Sequence, residues 1–372
     1  MTLAEYFCGR RVLVTGHTGF KGSWLTRWLV DLGAEVTGFS NEIPTQPSLF
    51  ELLGCENICD HRIGDICNQD EIEMVVREGA FDVVFHLAAQ SLVRKSYADP
   101  IATIATNILG TGHVLEAVRH AGHPCNIVAI TSDKCYANEG SLWGFRETDP
   151  MGGHDPYSMS KGAAELVIDS WRRSYFSDPD SPIRLASARA GNVIGGGDWA
   201  QDRIVPDCVS SLIAGKPIKV RNPVATRPWQ HVVEPLGGYL LLAARMADTS
   251  AAPVDQGWNF GPRAADTRSV RELVECLLDN WGAGSWIDAS SRGALDEAKT
   301  LSLNCEKAAL QLQWHPVWDF KRAVEETVRW YKVFARQDTQ ALQAITLEQV
   351  RAYQSEATIF DLPVRPSSNQ IV

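Results

Sequence analysis

The sequence predicts an α/β fold in which a doubly wound parallel sheet is joined to a smaller C-terminal α/β domain. From Arg11 onward, short runs rich in β-branched residues alternate with longer helical patterns, which is typical of β-α-β units. A glycine-rich turn follows the first of these runs, and beyond Gly191 the alternation gives way to segments rich in glycine and proline. The chain has 372 residues, 45% of them hydrophobic, so it is long enough to form both parts.

Strands and helices are predicted in alternation along the first half of the chain. The predicted strands are Arg11–Thr15, Glu35–Phe39, Phe81–His86, Cys125–Thr131 and Ile183–Ala188. The predicted helices between them are Lys21–Leu32, Asn68–Glu78, Pro100–Ala121 and Pro156–Tyr175. In a doubly wound sheet, ligands bind in the crevice at the carboxyl ends of the strands.

The second half of the chain has a looser pattern, which we interpret as a second domain. Its predicted helices are Pro206–Ala214, Pro235–Met246, Ser269–Trp281 and Phe320–Ala335. We predict that residues 1–190 form the sheet domain, to which later segments can return, and that residues 191–335 form the smaller domain. Residues 336–372 carry no readable motif and are expected to form a C-terminal tail.

Composition excludes several classes of function. A net charge of −10 argues against a nucleic-acid partner, because a surface that binds phosphates needs an excess of basic residues. No signal-peptide pattern precedes Arg11, and apolar stretches such as Tyr239–Met246 are shorter than the roughly 20 residues that span a bilayer. The nine cysteines form no C-x-x-C pair and are odd in number. We therefore expect a soluble, cytoplasmic protein without a disulfide framework, a membrane partner or a metal site.

The glycine-rich turn contains Gly16, Gly19 and Gly22 within the segment Val12–Trp24. Glycine permits positive φ and close approach of the backbone to a ligand, and a helix N-terminus offers free N–H groups. The spacing is G-x-x-G-x-x-G rather than the common dinucleotide motif G-x-G-x-x-G. Its placement between a strand and a helix nevertheless predicts a Rossmann-type site for the pyrophosphate of a dinucleotide, which includes Phe20.

The choice between NAD and NADP stays open by the usual rule. No acidic residue follows the second strand, which ends Phe39-Ser40-Asn41, and no arginine stands there to bind a 2′-phosphate. We favour NAD. Further cofactor contacts are predicted at Asp65 and Ile66, beside the adenine, and at Leu87, Ala88 and Ala89, after the strand that ends at His86. Asp65 fits a solvated turn equally well.

Tyr157 and Lys161 lie four residues apart at the start of a predicted helix, so they face the same side one turn apart. A tyrosine, with a usual pKa of about 10, serves as a base near neutrality only if positive charge stabilises its phenolate. Lys161 and an oxidised nicotinamide would provide that charge. Ser132, at the end of the strand before, would hydrogen-bond the substrate hydroxyl. We predict these three residues as catalytic, with Tyr157 and Lys161 also contacting the cofactor.

These motifs resemble the extended short-chain dehydrogenase/reductase family, and within it the nucleotide-sugar 4,6-dehydratases, most closely those that act on CDP-glucose. The segments that carry the resemblance are Gly16–Trp24, Pro47–Phe50, Ala89–Val93, Thr131–Tyr136, Tyr157–Lys161, Arg189–Trp199, Asp202–Pro206 and Arg227–His231. They span most of the chain as far as about Pro262. The resemblance implies an NAD-dependent lyase of deoxysugar biosynthesis that converts CDP-glucose to its 4-dehydro-6-deoxy derivative.

In such an enzyme, the resemblance implies oxidation at C4 of the sugar, loss of water across C5 and C6, and return of the hydride to C6. Elimination needs a base at C5 and an acid at the C6 hydroxyl. The similar dTDP-glucose enzymes carry Asp-Glu where this chain has Asp133 and Lys134. We assign Asp133 as the acid and Lys134 as the base. A lysine is a base only when its pKa is lowered by desolvation or nearby positive charge, so a structural cation is the alternative for Lys134.

The resemblance also assigns substrate and subunit contacts. Asn192 would contact the sugar or its phosphate, and Arg203 and Arg227 would bind the diphosphate through paired hydrogen bonds. Each arginine has a surface ion pair as its alternative. The helices at Pro100–Ala121 and Pro156–Tyr175 would form a four-helix contact in a homodimer or a dimer of dimers, although the same apolar positions could pack on the sheet.

Two other functions stay open. A nucleotide-sugar 4-epimerase would use the same Tyr157, Lys161 and Ser132, but it would not need an acid and a base beside the serine; a dehydratase for another nucleotide sugar is a close variant. A non-catalytic dinucleotide sensor would bind cofactor without turnover, and the intact catalytic positions argue against it. The CDP moiety follows from the resemblance alone, since no spacing in the sequence predicts a cytosine pocket.

Overall fold

A computed structural model of the protein describes residues 2–178, 180–248, 252–290 and 301–357. Its strands, in chain order, are β1 Arg11–Thr15, β2 Glu35–Ser40, β3 Asp60–Ile63, β4 Val83–His86, β5 Cys125–Ile130, β6 Ile183–Arg189, β7 Val193–Ile194, β8 Ile218–Val220, β9 Thr226–Pro228, β10 Gln230–His231, β11 Gly257–Asn259, β12 Thr267–Ser269 and β13 Trp286–Asp288. Seven of them form one sheet in the order β11-β6-β5-β4-β1-β2-β3, and all its pairs are parallel.

The α-helices are α1 Leu3–Phe7, α2 Phe20–Asp31, α3 Leu49–Leu52, α4 Gln69–Gly79, α5 Val93–Ala98, α6 Pro100–Ile104, α7 Gly110–Ala121, α8 Pro156–Tyr175, α9 Ile204–Ile213, α10 Val233–Met246, α11 Val270–Trp281, α12 Phe320–Phe334 and α13 Thr339–Glu356. A π-helical turn, Ala105–Leu109, joins α6 to α7, so these elements form one long stretch. By length and composition, residues 100–121 are apolar enough to cross a membrane. In the fold, their inner face packs against α4 and α8.

The sheet is buried on both faces, which explains its nearly continuous apolar strands. In β1, Val12 and Val14 point into one core, shared with α2, α10 and α12, whereas Leu13 points into the other, shared with α4 and α7. Because side chains alternate across a strand, both faces of β1 need apolar residues. The predicted doubly wound, Rossmann-type fold is therefore confirmed.

Strand order reverses between β1 and β4, which are neighbours in the sheet although β2 and β3 lie between them in the chain. The chain leaves β1 toward one edge of the sheet and returns to β4, from which it builds toward the other edge. The loops after these two strands therefore diverge and leave a crevice at their carboxyl ends. The glycine-rich turn follows β1 and so lies at this point.

The C-terminal part adds three two-stranded sheets, β7 with β10, β9 with β12 and β8 with β13. It is not separate from the large sheet, because β11 pairs with β6 along Ser187–Arg189. The helix α13 reaches back to α2, where Trp28 and Tyr353 pack edge to face and Arg351 forms an ion pair with Asp31. The domain boundaries that we expect from the sequence remain a prediction.

Among the elements that the sequence patterns missed, three complete this architecture. Strand β3 has the polar sequence Asp-His-Arg-Ile at the edge of the sheet, and β11 is only three residues long. The helix α13 lies in the stretch after Arg336, where the sequence indicated only a tail. The predicted segments Pro156–Tyr175 and Arg11–Thr15 match the structure in both bounds.

Candidate active site

The glycine-rich turn forms a tight cradle between β1 and α2. Gly16 has φ +75°, and its N–H donates to Phe39 O (2.8 Å). A Cβ on Gly16 would lie 2.7 Å from the backbone nitrogen of Ala88, and one on Gly22 would overlap the carbonyl oxygen of Gly16. Gly19 is the N-cap of α2, so the free N–H groups of the first helical turn, which includes Phe20, open into the same space. This geometry fits a pyrophosphate.

The segment after β4 lies directly beside the cradle. Leu87 N donates to Thr15 O (3.1 Å), and Ala88 N donates to Thr15 Oγ1 (3.2 Å). Strand β4 is fully buried, whereas residues 87–90 are partly exposed, so the chain emerges from the core at this point. Leu87, Ala88 and Ala89, which the sequence assigns to the cofactor, thus border the crevice beside Gly16.

Histidines and a serine lie where many dinucleotide sites have a carboxylate. Ser40, at the end of β2, has its Oγ 2.8 Å from His17 Nδ1, and His17 Nε2 lies 2.7 Å from His61 Nδ1. Burial, together with His61, lowers the pKa of His17 to about 4, so His17 is neutral at physiological pH. This end of the crevice therefore offers neutral hydrogen-bonding groups in place of an acid.

The next two predicted cofactor residues, Asp65 and Ile66, follow β3. Asp65 Oδ1 accepts a hydrogen bond from Cys67 N (2.9 Å), so one carboxylate oxygen stabilises a local turn. The Ile66 side chain packs in the core against Gly110 of α7. The adenine contacts of both residues remain a prediction.

The serine and tyrosine that the sequence predicts as catalytic lie at the same place in the fold. Ser132 follows β5, Tyr157 lies in the first turn of α8, and the Ser132 hydroxyl is close enough to influence the pKa of Tyr157. Burial raises the pKa of Tyr157 to about 12, while Ser132 and the guanidinium of Arg203 act to lower it. Lys161, one turn along α8, is 5% exposed, and burial lowers its pKa to about 8.

Buried amides hold the start of α8 in place. The π-helical turn between α6 and α7 carries Asn107, whose Nδ2 donates to Ser160 Oγ (2.8 Å) and to Gln90 O (3.0 Å). Gln90 N donates in return to Asn107 Oδ1 (2.8 Å). Asn107 thus links the segment after β4 to the helix that carries Tyr157 and Lys161.

Asp133 lies at the centre of the site. It is 2% exposed and accepts hydrogen bonds from Ser132 Oγ (3.0 Å) and Asn192 Nδ2 (3.1 Å). Asn192 has φ +51°, a conformation that asparagine tolerates better than most residues. A side chain on Gly191 would overlap the carboxylate of Asp133. The Asp133–Asn192 contact therefore requires glycine at position 191.

The remaining predicted site residues, Lys134, Arg203 and Arg227, relate to this centre in different ways. Lys134 is partly exposed, and its backbone N–H donates to Ser132 Oγ (3.2 Å). Arg203 pairs with Asp198 (2.9 Å) and lies close enough to Tyr157 to affect its pKa. Arg227 is buried on β9, three residues before Gln230, whose N–H donates to Asn192 O (3.3 Å).

The structure adds to the site four residues that the sequence did not predict there. Glu165 and Arg189 form a buried ion pair of 2.8 Å beneath Lys161. Lys21 approaches Tyr239 OH (3.4 Å) at the crevice. Glu165 follows Lys161 by one helical turn, and Lys21 stands between Gly19 and Gly22, so the spacing indicates that each lies near the site but does not reveal its partner.

Comparison with known proteins agrees with this geometry. Residues 13–327 match the family model described as GDP-mannose 4,6 dehydratase. The chain belongs to this dehydratase family. A CDP-glucose 4,6-dehydratase from Salmonella typhimurium is 46% identical over 336 residues, which cover 89% of this chain and 93% of the relative.

Solved structures of lower identity share the fold. A dTDP-glucose 4,6-dehydratase from Streptomyces venezuelae, with NAD and TYD bound, has a TM-score of 0.74 at 24% identity and covers 90% of this chain and 99% of its own. A UDP-glucose 4-epimerase from Thermotoga maritima has a TM-score of 0.75 at 20% identity. The match covers 87% of this chain and 99% of the epimerase chain. The fold alone therefore does not separate dehydratase from epimerase.

Replacement of Gly16 by alanine tests the cradle. The added methyl group would meet Ala88 N in a backbone conformation of positive φ, so the turn must shift. We expect the affinity for the predicted NAD cofactor to fall by about 10-fold or more, as a loss of at least one favourable phosphate contact implies. Isothermal titration calorimetry measures the change.

Gly112→Ala is the matched control. Gly112 lies in α7, with no atom within 4 Å of an added Cβ, so the affinity for NAD should not change. Wild-type affinity in a folded Gly16→Ala protein would show that the cradle does not hold the cofactor.

Proposed function

We propose that the protein is an NAD-dependent lyase that converts CDP-glucose to CDP-4-dehydro-6-deoxyglucose. The observation that carries the proposal is the buried Asp133, which is hydrogen-bonded to Ser132 and lies close enough to Tyr157 to influence its pKa. This arrangement combines a tyrosine for oxidation with a second proton-transferring residue for elimination. The sequence identity of 46% to the Salmonella enzyme, whose name specifies CDP-glucose, supports this choice of nucleotide.

The described residues fit NAD as the resident cofactor. Gly16, Gly19 and Gly22 would hold its pyrophosphate at the N-terminus of α2, and Tyr157 and Lys161 would border its nicotinamide. When bound, NAD supplies a hydride acceptor for C4 of the sugar and later the donor for C6. Its positive ring would also add to the charge that a Tyr157 phenolate needs.

In the oxidation step, Tyr157 removes the proton of the C4 hydroxyl. Ser132, whose hydroxyl lowers the pKa of Tyr157, orients the C4 hydroxyl, and Lys161 stabilises the phenolate from one turn along α8. Because the pKa of Tyr157 is raised to about 12, chiefly by burial, Lys161 and the oxidised nicotinamide are needed before the tyrosine can act as a base near neutrality.

In the elimination step, Asp133 donates a proton to the C6 hydroxyl and Lys134 removes the proton from C5. The C4 ketone acidifies that proton. Asp133 is fixed between Ser132 and Asn192, so its carboxyl group is held in one orientation. Lys134 follows it in the same 3-10 turn and is only partly exposed. Its neutral form is the one that accepts the proton.

Asn192, Arg203 and Arg227 would bind the sugar diphosphate. Arg203 and Asn192 both lie at the entrance formed after β6, within reach of the residues around Asp133. Guanidinium groups suit a diphosphate because they donate paired hydrogen bonds. The ion pair between Arg203 and Asp198 would orient the guanidinium toward the crevice.

An epimerase is the second candidate, because it shares the fold and the Ser132, Tyr157 and Lys161 set. It needs no acid beside Ser132, however, and Asp133 occupies that place in a buried, hydrogen-bonded position. Burial of an ionisable group is costly unless it serves a function or is well paired. The position of Asp133 thus favours elimination over simple inversion at C4.

An assay with CDP-, dTDP-, GDP- and UDP-glucose, compared side by side, tests the reaction and the nucleotide together. We expect a 4-keto-6-deoxy product, detected by its absorbance in alkali, with CDP-glucose as the best substrate. Formation of a galactose epimer without this product would contradict the proposal. Cofactor binding without turnover of any nucleotide sugar would instead identify a sensor.

Lys134→Ala tests the assignment of the base. We expect the rates of C5 deuterium exchange and of water elimination to fall by roughly 100-fold or more, which is the usual effect of removing a general base. Transfer of the hydride from C4 should be partly preserved, because Ser132, Tyr157 and Lys161 are unchanged. Full dehydration by this variant would exclude Lys134 as the base.

We also propose that the protein is a cytoplasmic homodimer. All nine cysteines are free thiols, which suits a reducing compartment. Large apolar side chains are exposed along α6, the π-helical turn that follows it and α8, namely Ile101, Leu109, Leu166 and Tyr175, at 52% to 72% exposure. These elements pack side by side, so each subunit would contribute two neighbouring helices to a four-helix contact.

Light scattering tests the subunit contact. The wild type should have the mass of a dimer, and Leu166→Glu should produce monomers because it places a charge in the apolar contact. Leu310→Glu is the matched control, since Leu310 is 82% exposed outside α6 and α8. A monomeric wild type would contradict the dimer.

A further inference from the structure

His86 is a buried polar residue at the end of the apolar strand β4, and the proposed reaction does not use it. It is 3% exposed. In the parallel pairing of β4 with β1 it lies beside Thr15, and both side chains point to the face of the sheet that α7 covers. A buried imidazole without hydrogen-bond partners costs free energy, so each ring nitrogen needs one.

The two ring nitrogens of His86 contact threonines on different elements. Nδ1 lies 2.8 Å from Oγ1 of Thr15, and Nε2 lies 3.0 Å from Oγ1 of Thr111 on α7. Thr111 is 4% exposed and donates its hydroxyl proton to Asn107 O (2.8 Å). Because a hydroxyl has only one proton to donate, Nε2 of His86 must donate to Thr111 and therefore carries the ring proton.

The hydrogen bonds around His86 consequently run in one direction. With its proton on Nε2, His86 accepts at Nδ1 the hydroxyl proton of Thr15. Thr15 Oγ1 in turn accepts from Ala88 N (3.2 Å). Burial and, to a smaller extent, the charge of Lys161 lower the pKa of His86 to about 3, so the ring stays neutral at physiological pH. It thus keeps one donor and one acceptor.

Each end of this hydrogen-bonded chain reaches part of the proposed site. At one end, Ala88 belongs to the segment that borders the glycine cradle, and a Cβ on Gly16 would lie 2.7 Å from its nitrogen. At the other end, the side-chain amide of Asn107 donates to Ser160 Oγ (2.8 Å), which donates to Tyr157 O (2.7 Å). The chain thus connects the predicted cofactor segment with the first turn of α8.

We propose that His86 is a positioning residue, which fixes the cofactor-binding segment after β4 relative to the helix that carries Tyr157. The inference rests on the proposed function, because it concerns the transfer of hydride from C4 of the sugar. That transfer requires cofactor, sugar and tyrosine to meet in one geometry. The hydrogen-bonded chain through His86 holds two of these three, since it ends on the backbone of Ala88 and on the backbone of Tyr157.

Nuclear magnetic resonance of the full-length protein tests the protonation state of His86. With isotopically labelled histidine, we expect the ring nitrogen shifts of a neutral imidazole that carries its proton on Nε2, unchanged between about pH 5 and about pH 9. The signal is assigned by its absence from the His86→Gln variant. A proton on Nδ1, or a charged ring, would break the direction of the chain and overturn the inference.

Single-turnover measurements with NAD and CDP-glucose test the positioning, because the absorbance of reduced nicotinamide reports oxidation at C4. His86→Phe keeps a ring but has no hydrogen-bonding atom, and we expect oxidation to slow by roughly 100-fold, as for a catalytic group displaced by about 1 Å. The KM for CDP-glucose should stay within about 2-fold, since the proposed substrate residues do not belong to the chain. His86→Gln can both accept and donate, so it should recover about 10-fold or more of the lost rate.

Thr111→Val removes one bond of the chain and tests the inference even if His86→Phe does not fold. Thr346→Val is the matched control, because Thr346 is a buried threonine of α13 that donates to Leu342 O (2.8 Å) and accepts from Trp330 Nε1 (2.9 Å). Both variants should lose similar stability in thermal unfolding. Only Thr111→Val should slow oxidation at C4, by about 10-fold.

Three kinetic outcomes would also overturn the inference. The first is wild-type oxidation by a folded His86→Phe protein. The second is equal slowing by Thr111→Val and Thr346→Val, which would assign the effect to stability alone. The third is a double variant of His86 and Thr111 whose loss is the product of the two single losses, because residues of one chain should not act independently. A wild type that oxidises no nucleotide sugar would refute the proposed function, whereas the protonation state of His86 and the NAD affinity of the variants would still decide the inference.

Discussion

A buried ion pair between Glu165 and Arg189 holds together the elements that carry the proposed catalytic residues. Glu165 lies on α8 with Tyr157 and Lys161, and it accepts hydrogen bonds from Thr131, next to Ser132, and from Ser187 of β6 (2.8 Å). Arg189 ends β6 and also donates to Tyr136 OH (2.7 Å). Both side chains are at most 6% exposed, so the pair depends on its full set of hydrogen bonds. Without Glu165, a guanidinium would be left buried without its counter-ion.

The same pair influences the charge of Lys161. Burial lowers the pKa of that lysine, and the nearby carboxylate of Glu165 acts in the opposite direction. The resulting value of about 8 keeps Lys161 mostly protonated at neutral pH. Lys21, Lys161 and Arg203 thus gather positive charge around Asp133 in a chain whose net charge is −10. A local excess of positive charge suits a diphosphate substrate and a reaction in which negative charge develops.

Sequence patterns predicted the central sheet and its glycine turn because both depend on local signals. Buried strands such as β5 are nearly continuous apolar runs, and the cofactor cradle requires glycine at positions where a Cβ would overlap the backbone. Strand β11 carries no such signal, since its three residues are strand-like only through pairing with β6. The contacts of Lys21 and Glu165 were missed for a related reason. Each residue contacts a group distant in sequence, namely Tyr239 for Lys21 and Arg189 for Glu165.

The proposed function requires one site to oxidise C4, eliminate water and reduce C6 of the same sugar. Conversion of CDP-glucose labelled with deuterium at C4 tests this requirement, with the label located by nuclear magnetic resonance. We expect a 4-keto-6-deoxy product that carries the deuterium on C6 of the molecule from which it was taken. Deuterium retained at C4 of an epimerised sugar, or a dehydrated product without deuterium at C6, would contradict it.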